Sequence, residues 1–290
     1  MAMATTADID EKAALAELLE GYSAEVTTPD RKSLDAAAEL MPKGARVYIA
    51  ALPKDPPARQ VEVAGHVREL GLEPVPHLVA RNVKSLAAFE DHLARLKEAS
   101  NLDRALVLGG DRDDSDGEFT SALDLIQTGL FEKYGIDKIA VGCYPEGHPR
   151  IPDAALKKAM TDKLAEAEKQ GLSIILVSQL CFDAQTIVKF VRGLREEGIK
   201  ARFRVGVAGP AKPATLVKYA MICGVGPSLR ALKERQELAK NLLSGETPET
   251  LLTEIALAQA AEPSLDIWGV HFFTFAALRK TIEFAEGLLR

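Results

Sequence analysis

Short apolar runs alternate along the chain with longer amphipathic stretches. Each apolar run ends at glycine, proline or a polar residue, which is typical of strands buried on both faces of a parallel sheet. Eight such strands are predicted: Tyr22–Thr27, Arg46–Ala51, Glu73–Val79, Arg104–Asp111, Lys138–Tyr144, Ser173–Gln179, Ala201–Val207 and Asp266–Phe273. The pattern therefore indicates a protein built on buried parallel strands.

The stretches between these runs carry apolar residues at helical spacing, and several end at a glycine such as Gly71, as helix C-caps do. Helices are predicted over Asp8–Leu19, Ser33–Met41, Arg59–Leu70, Ser85–Ala99, Ser121–Lys133, Asp153–Gln170, Ala184–Glu197, Ala214–Ile222, Arg230–Leu243, Pro248–Ala261 and Ala276–Leu289. A helix after every strand implies parallel strands joined by right-handed crossovers.

Eight strand–helix units in 290 residues fit an α/β protein with a closed (β/α)8 TIM barrel and extra helices, forming a single domain over residues 1–290. An open doubly wound sheet is the main alternative. The chain has no G-x-G-x-x-G at the start of a first helix and no G-x-x-x-x-G-K-[ST] loop, which weakens a dinucleotide-binding or P-loop interpretation.

Composition narrows the function classes. The formal net charge is −6, and no basic block is present, so a nucleic-acid partner is not expected. The first residues lack the apolar segment of a secretory signal, and no apolar run approaches the roughly 20 residues of a membrane helix. Cys143, Cys181 and Cys223 form no C-x-x-C pair, so neither a disulfide framework nor a metal site is indicated. A cytoplasmic protein is expected.

The fourth strand runs from the apolar segment Ala105–Leu108 into Gly109, Gly110 and Asp111. Glycine permits a sharp turn or the close approach of a ligand. A carboxylate at the carboxyl end of a parallel strand stands where α/β folds place their chemistry. The structural alternative is that Asp111 caps a turn.

Polar residues also end the other strands: Glu25, His77, Tyr144 with His148, and Gln179. Well-separated carboxylates, two histidines and an amide suit proton transfer and the binding of a polar heterocycle. No nucleophile with a base partner is evident, which favours hydride or proton transfer over acyl transfer. As alternatives, Glu25 is a solvated charge, His77 and Tyr144 belong to the core, and His148 braces its loop. An unpaired buried amide at Gln179 would cost roughly 1–3 kcal/mol, which favours a ligand role there.

At these positions the chain resembles the methylenetetrahydrofolate reductase family. Six segments match in order: Ser23-Ala24-Glu25, Pro76-His77-Leu78, Ala105 to Asp111, Tyr144-Pro145-Glu146-Gly147-His148-Pro149, Ser178 to Asp183, and His271 to Thr274. The segment from Tyr144 to Pro149, close to the family's Y-P-E-x-H-P, is the most specific. The resemblance spans nearly the whole chain and implies a (β/α)8 barrel.

The resemblance implies reduction of 5,10-methylenetetrahydrofolate to 5-methyltetrahydrofolate, or the reverse, in one-carbon metabolism and methionine biosynthesis. NADH would supply the hydride through non-covalently bound FAD. Glu25 and Asp111 would be catalytic, with Glu25 as the general acid. Gln179, Phe182 and Phe273 would bind the folate, and the cofactor would be bound by His77, Gly110, Asp111, Tyr144, His148 and Lys163. The family also implies a homo-oligomer.

The sequence departs from the family pattern at three places. The family arginine before Gly-Asp is Gly109, the helix before strand 6 offers Lys163 or Lys169 at a changed spacing, and Ala276 and Ala277 replace Asn-Arg after strand 8. Two alternatives therefore stay open: direct hydride transfer from NADH to folate without a flavin, and a folate-binding barrel without turnover. A barrel lyase or aldolase would need a Schiff-base lysine or a metal set at the strand ends, and the sequence indicates neither.

Overall fold

The computed structural model describes residues 9–27, 31–52, 55–223, 225 and 247–290. All eight predicted strands are present: β1 (Ser23–Val26), β2 (Arg46–Ile49), β3 (Glu73–Val79), β4 (Arg104–Leu108), β5 (Lys138–Cys143), β6 (Ser173–Ser178), β7 (Arg202–Ala208) and β8 (Ile267–Phe273). They form a closed barrel in chain order, and β2–β3, β3–β4, β4–β5 and β7–β8 pair in parallel. The predicted (β/α)8 barrel is confirmed, and the open sheet is wrong.

Helices follow the strands, as the alternation predicts. They are α1 (Glu11–Leu19), α2 (Arg31–Ala38), α3 (Pro57–Glu69), α4 (Leu86–Ser100), α5 (Ala122–Ile126), α6 (Leu130–Lys133), α7 (Asp153–Lys169), α8 (Ala184–Glu196), α9 (Pro213–Ile222), α10 (Glu249–Ala261) and α11 (Leu278–Leu288). The helix predicted over Arg230–Leu243 lies outside the described residues.

The helix predicted over Ser33–Met41 is shifted to Arg31–Ala38, and two other helix predictions were wrong in their extent. The single helix predicted over Ser121–Lys133 is divided into α5 and α6, because Gly129 between them adopts a left-handed φ of +71° that a continuous right-handed helix excludes. The last helix begins at Leu278 rather than Ala276, because Phe275 and Ala276 have φ values of +48° and +64°. Both differences arise from backbone conformation at a few residues.

Tertiary contacts divide the chain into two compact units. One unit comprises Met1–Ala24, Cys143–Pro152 and Val177–Arg290, and the other comprises Glu25–Gly142 and Asp153–Leu176. The prediction of a single domain over residues 1–290 stays a prediction.

Strand interiors are buried on both faces, as their continuous apolar runs predict. In β7 every residue from Phe203 to Ala208 is buried. Packing leaves no room for a side chain at Gly206, because a Cβ there would lie 2.1 Å from the carbonyl oxygen of Ser178 on β6. The Ser178 hydroxyl also accepts a hydrogen bond from the Gly206 amide at 2.8 Å. Glycine at this position therefore allows the backbone of β7 to lie close to the end of β6.

The amino ends of β3, β4 and β5 carry an ion-pair network. Asp103 accepts hydrogen bonds from Arg104, at 2.7 Å, and from Lys138, and Glu73 pairs with Arg68 at 2.7 Å. Burial alone would raise the pKa of Asp103, but the hydrogen bonds from Arg104 and Lys138 outweigh it and lower that pKa to about 2. Charged groups at this end of barrel strands support stability rather than chemistry.

Candidate functional site

The carboxyl end of β1 brings Glu25 next to His77 of β3. The Glu25 Oε2 atom lies 3.6 Å from His77 Nε2, and the side chains are 21% and 8% exposed. His77 also packs edge-on against the Tyr48 ring of β2, with ring centroids 6.1 Å apart. An acidic side chain that is mostly shielded from water and lies beside an imidazole is an arrangement suited to proton transfer.

The backbone under His77 is fixed by a buried glutamine. Gln60 of α3 donates from Nε2 to the carbonyl oxygens of His77, at 3.0 Å, and Ile49, at 3.1 Å. Its Oε1 atom is 2.9 Å from Nε2 of His92 on α4. Because the Gln60 amide nitrogen donates to carbonyls, its oxygen must accept, and His92 therefore carries its proton on Nε2. The sequence patterns did not single out Gln60 or His92.

His92 makes the stability of the protein depend on pH. Burial, helped by the charge of Arg95, lowers the pKa of His92 from 6.5 to about 4. Because the unfolded chain binds this proton at higher pH than the folded chain, we expect the free energy of unfolding to be intact above pH 6.5 and to fall as the pH drops to about 4. Over that window the loss is about 3 kcal/mol. Urea denaturation at a series of pH values measures it.

A His92→Gln variant is the control for this pH dependence. It removes the titrating group, so its free energy of unfolding should fall less between pH 6.5 and pH 4 than that of the wild type. Equal slopes for the two proteins over that window would contradict the assignment to His92.

The loop after β4 carries Asp111, whose side chain is exposed. Gly110 has a φ of +107°, and a Cβ there would lie 2.7 Å from Cγ1 of Val79. Both the backbone conformation and the packing against β3 therefore require glycine at this position. Gly109 differs, because a Cβ there would make only ordinary contacts, the nearest at 3.8 Å from the Thr120 carbonyl oxygen.

The arginines near this loop are engaged with protein groups. The Arg81 guanidinium donates to the carbonyl oxygens of Gly110, Arg112 and Thr120 at 2.6–3.2 Å. Arg112 pairs with Asp116 at 2.6 Å. Lys163, the other predicted cofactor contact of this unit, lies within α7 and is half-buried.

In the other unit, Tyr144 and His148 lie on one turn after β5. Gly147, with φ of +77°, donates its amide to the Tyr144 carbonyl oxygen at 3.0 Å, and this turn brings the His148 ring to 5.2 Å from the Tyr144 ring, edge to face. His148 Nδ1 accepts from the Arg150 amide at 3.2 Å, so the neutral ring carries its proton on Nε2. Both side chains are half-buried.

Gln179 follows β6 and is held at both its backbone and its side chain. Its amide donates to the Cys143 carbonyl oxygen at 2.8 Å, and its Oε1 accepts from the Leu180 amide at 2.9 Å. The aspartate that ends the same motif, Asp183, caps α8 by accepting from the amide and the hydroxyl of Thr186. That part of the motif therefore has a structural role.

The two predicted phenylalanines of this unit differ in their surroundings. Phe182 is 6% exposed and belongs to an apolar cluster of buried residues from the β6–β8 region. Phe273 is partly exposed and packs against this cluster. Phe273 lies 5.0 Å from the His271 ring, edge to face, and parallel to Phe275, which stacks on Tyr219 at 4.3 Å. A substrate contact stays a prediction for both, and the partly exposed Phe273 is the more suitable of the two.

The sequence patterns missed a fully buried arginine in β7. Arg204 donates from Nη1 to the carbonyl oxygens of Gly21 and Val270 and to the Ser23 hydroxyl at 2.9–3.3 Å, and its guanidinium lies 4.6 Å from the Trp268 ring. Ser23 in turn lies 3.0 Å from Nδ1 of His271. The only available signal was a charged residue inside an apolar strand.

The described ranges contain no cluster of three or more histidine, cysteine or acidic side chains that could hold a metal ion. Within them, the three cysteines form no disulfide. No described helix is both long and apolar enough to cross a membrane.

Comparison with known proteins identifies a family. The model of the family described as methylenetetrahydrofolate reductase matches residues 32–242. The chain is 26% identical over 201 residues to "Probable methylenetetrahydrofolate reductase (NADH)" of Oryza sativa subsp. japonica, covering 62% of this chain and 33% of that protein. It is 36% identical over 118 residues to "Probable methylenetetrahydrofolate reductase (NADPH)" of Caenorhabditis elegans, covering 37% and 16%. The chain thus aligns with a third or less of these relatives' length.

Two solved structures superpose on most of the chain at low sequence identity. A dihydropteroate synthase from Thermus thermophilus superposes with a TM-score of 0.49 and 16% identity, covering 94% of this chain and 95% of that chain. A putative deoxyribose-phosphate aldolase from Toxoplasma gondii superposes with a TM-score of 0.45 and 12% identity, covering 96% and 97%.

Proposed function

Because the chain belongs to the methylenetetrahydrofolate reductase family, we propose that it transfers a hydride between a reduced nicotinamide and the one-carbon unit of tetrahydrofolate. The forward reaction converts 5,10-methylenetetrahydrofolate to 5-methyltetrahydrofolate, and the same groups serve the reverse oxidation. The observation that carries the proposal is the shielded Glu25 carboxyl group beside His77, 3.6 Å apart, at the carboxyl end of β1.

The reaction needs one proton and one hydride. Protonation of N10 of the folate breaks its bond to the methylene carbon, and the electron pair of that bond stays on the nitrogen. The hydride then adds to the methylene carbon, which becomes the methyl group on N5. Glu25 is the group that supplies the proton. A bound pterin that covers the carboxyl group would favour its protonated form, as a general acid near neutral pH requires.

The remaining residues bind and orient the folate. Asp111, on the exposed loop after β4, accepts hydrogen bonds from the N–H groups of the pterin. The Gln179 side chain, oriented by its contact with the Leu180 amide, hydrogen-bonds the pterin edge. Phe273 offers the edge of an aromatic ring to the flat substrate. Binding alone does not need a general acid, so Glu25 is the residue that favours an enzyme over a folate-binding barrel without turnover.

The described residues do not fit FAD as a whole. Tyr144 and His148 present half-buried rings that suit a flat cofactor. The family arginine that would contact the FAD phosphates is Gly109 here. Near the loop after β4, Arg81 donates to three carbonyl oxygens and Arg112 pairs with Asp116. These observations favour direct hydride transfer from the nicotinamide to folate.

A visible spectrum separates the two hydride routes. We expect the purified protein to be colourless, without the absorbance bands of a flavin, and to oxidise NADH when 5,10-methylenetetrahydrofolate is added. The reason is that the family arginine expected to contact the FAD phosphates is Gly109 here. Yellow protein that releases FAD on denaturation would contradict direct transfer and leave the flavin-dependent reductase.

The proposed function is tested by product analysis. NADH or NADPH is mixed with the protein and 5,10-methylenetetrahydrofolate, and 5-methyltetrahydrofolate is quantified by mass spectrometry against the nicotinamide consumed. A one-to-one ratio supports the reductase. Tight folate binding without turnover in either direction, with both nicotinamides and with added FAD, would contradict it and favour the non-catalytic folate-binding barrel. The expected homo-oligomer is measured separately by sedimentation.

A further inference from the structure

Arg81 lies on the short 3-10 turn Ala80–Asn82, directly after β3. The sequence patterns gave it no role, and it is not part of any motif in the family resemblance. We propose that Arg81 is a positioning residue that fixes Asp111 for folate binding, an inference that rests on the proposed function.

The guanidinium of Arg81 holds the loop on both sides of Asp111. Its Nη1 donates to the carbonyl oxygen of Gly110 at 3.2 Å and to that of Arg112 at 2.6 Å. The Gly110 carbonyl belongs to the peptide group that precedes Asp111, and the Arg112 carbonyl belongs to the second peptide group after it, so the backbone is held on both sides of Asp111. The Nε of Arg81 donates to the carbonyl oxygen of Thr120 at 3.1 Å, which closes the far end of the same loop.

The backbone of Arg81 adds two more hydrogen bonds to this loop. Its amide donates to the Gly109 carbonyl oxygen at 3.1 Å, and its carbonyl oxygen accepts from the Asp116 amide at 2.9 Å. One residue therefore fastens the loop at its start, around Asp111, at its middle and at its end. Residues 109–120 contain no helix or strand of their own, so these contacts replace the regular hydrogen bonding that would otherwise order the segment.

The geometry requires arginine rather than any cation. The planar guanidinium donates in several fixed directions from one side chain, whereas a lysine ammonium on a flexible stem is a compact point donor. The chain thus lacks an arginine at Gly109 but carries one on the neighbouring strand end, where it binds backbone carbonyls. If Arg81 acts through Asp111, replacing Arg81 should not weaken folate affinity further once the Asp111 carboxylate has been removed.

The chain offers a matched control in Arg195 of α8. Its guanidinium also donates to backbone carbonyls, those of Ile199, Ala201 and Leu265, at 2.6–2.9 Å. These carbonyls precede β7 and β8, at the amino ends of the strands. Replacing Arg195 removes a comparable set of hydrogen bonds away from the loop that carries Asp111.

The experiment is a double-mutant cycle on folate affinity. The dissociation constant of 5-methyltetrahydrofolate is measured by calorimetry for Arg81→Met, Arg81→Lys, Asp111→Asn, the Arg81→Met/Asp111→Asn double variant and Arg195→Met. We expect Arg81→Met to weaken binding about tenfold, Arg81→Lys to recover little of the loss, and the double variant to bind no more weakly than Asp111→Asn. Arg195→Met should keep wild-type affinity. Additive effects in the double variant, or an equal loss in Arg195→Met, would overturn the proposal.

Hydrogen exchange provides a readout that needs no folate. Amides in residues 109–120 should exchange faster in Arg81→Met than in the wild type and be unchanged in Arg195→Met. Unchanged exchange in Arg81→Met would overturn the anchoring role by itself. Faster exchange in that variant, combined with a wild type that binds no folate, would support the anchoring of the loop and refute the proposed function instead.

Discussion

Replacing Glu25 by glutamine is expected to lower the turnover number for folate reduction by about a thousandfold, within the range that a general acid contributes. Glutamine keeps the size of the side chain and can still form hydrogen bonds, but its amide is far too weak an acid to protonate N10 of the folate. The affinity for 5-methyltetrahydrofolate should change much less, because Asp111 and Gln179 still bind the pterin. Steady-state turnover and calorimetric binding, measured on the same preparations, separate the two effects.

The matched control for this variant is Glu98→Gln. Glu98 lies in α4 with an exposed side chain, and its substitution makes the same change of charge away from the strand ends. Turnover by the control should equal that of the wild type. If Glu25→Gln reduced folate at the wild-type rate, Glu25 would have no part in proton transfer, and the Glu25–His77 pair would be a structural feature of β1 and β3.

Replacing Arg204 by methionine is expected to lower the free energy of unfolding by about 3 kcal/mol. Methionine fills much of the same volume but leaves the carbonyl oxygens of Gly21 and Val270 without the donor they have at 3.0 and 2.9 Å. A buried acceptor that loses a donor incurs a cost of desolvation, which is partial at Val270 because the Ser23 hydroxyl also donates to its carbonyl oxygen at 3.4 Å. The variant also loses the cation–π contact with Trp268 at 4.6 Å.

Arg202→Met is the control, because Arg202 is on the same strand and also lies over the Trp268 ring, at 5.2 Å, but is exposed. Its loss should cost less than about 1 kcal/mol, the usual size of an exposed cation–π contact. Urea denaturation followed by Trp268 fluorescence measures both variants. A loss for Arg204→Met no larger than for Arg202→Met would show that the buried hydrogen bonds contribute little.

The different burial of these two arginines shows where sequence patterns stop being informative. Strand alternation places Arg202 and Arg204 on the same face, yet one is exposed and the other is fully buried. The pairing of β7 with β8 changes register between Phe203 and Arg204, and the Arg204 guanidinium packs beside Gly269 of β8, whose φ is +141°. This register shift, which depends on the pairing with another strand and is not visible as a local pattern, separates the two positions.

The candidate site likewise has features that the sequence could locate and features that it could not. The motifs around Glu25, His77, Asp111, Tyr144 and Gln179 could be located from sequence, because each follows a recognisable apolar run. The pairing of Glu25 with His77, the support from Gln60 and the anchoring of the loop by Arg81 could not, because they join residues of different elements through side-chain geometry.

The sequence by itself determined the order of strands and helices and, through it, the closed barrel and the family. These depend on local properties: the burial of short apolar runs, the conformational freedom of glycine, and the short connections between successive elements. The tertiary structure alone decided which polar groups pair. That choice depends on directional contacts between distant segments, such as the guanidinium of Arg81 on the carbonyls that flank Asp111, and no local pattern encodes such directions.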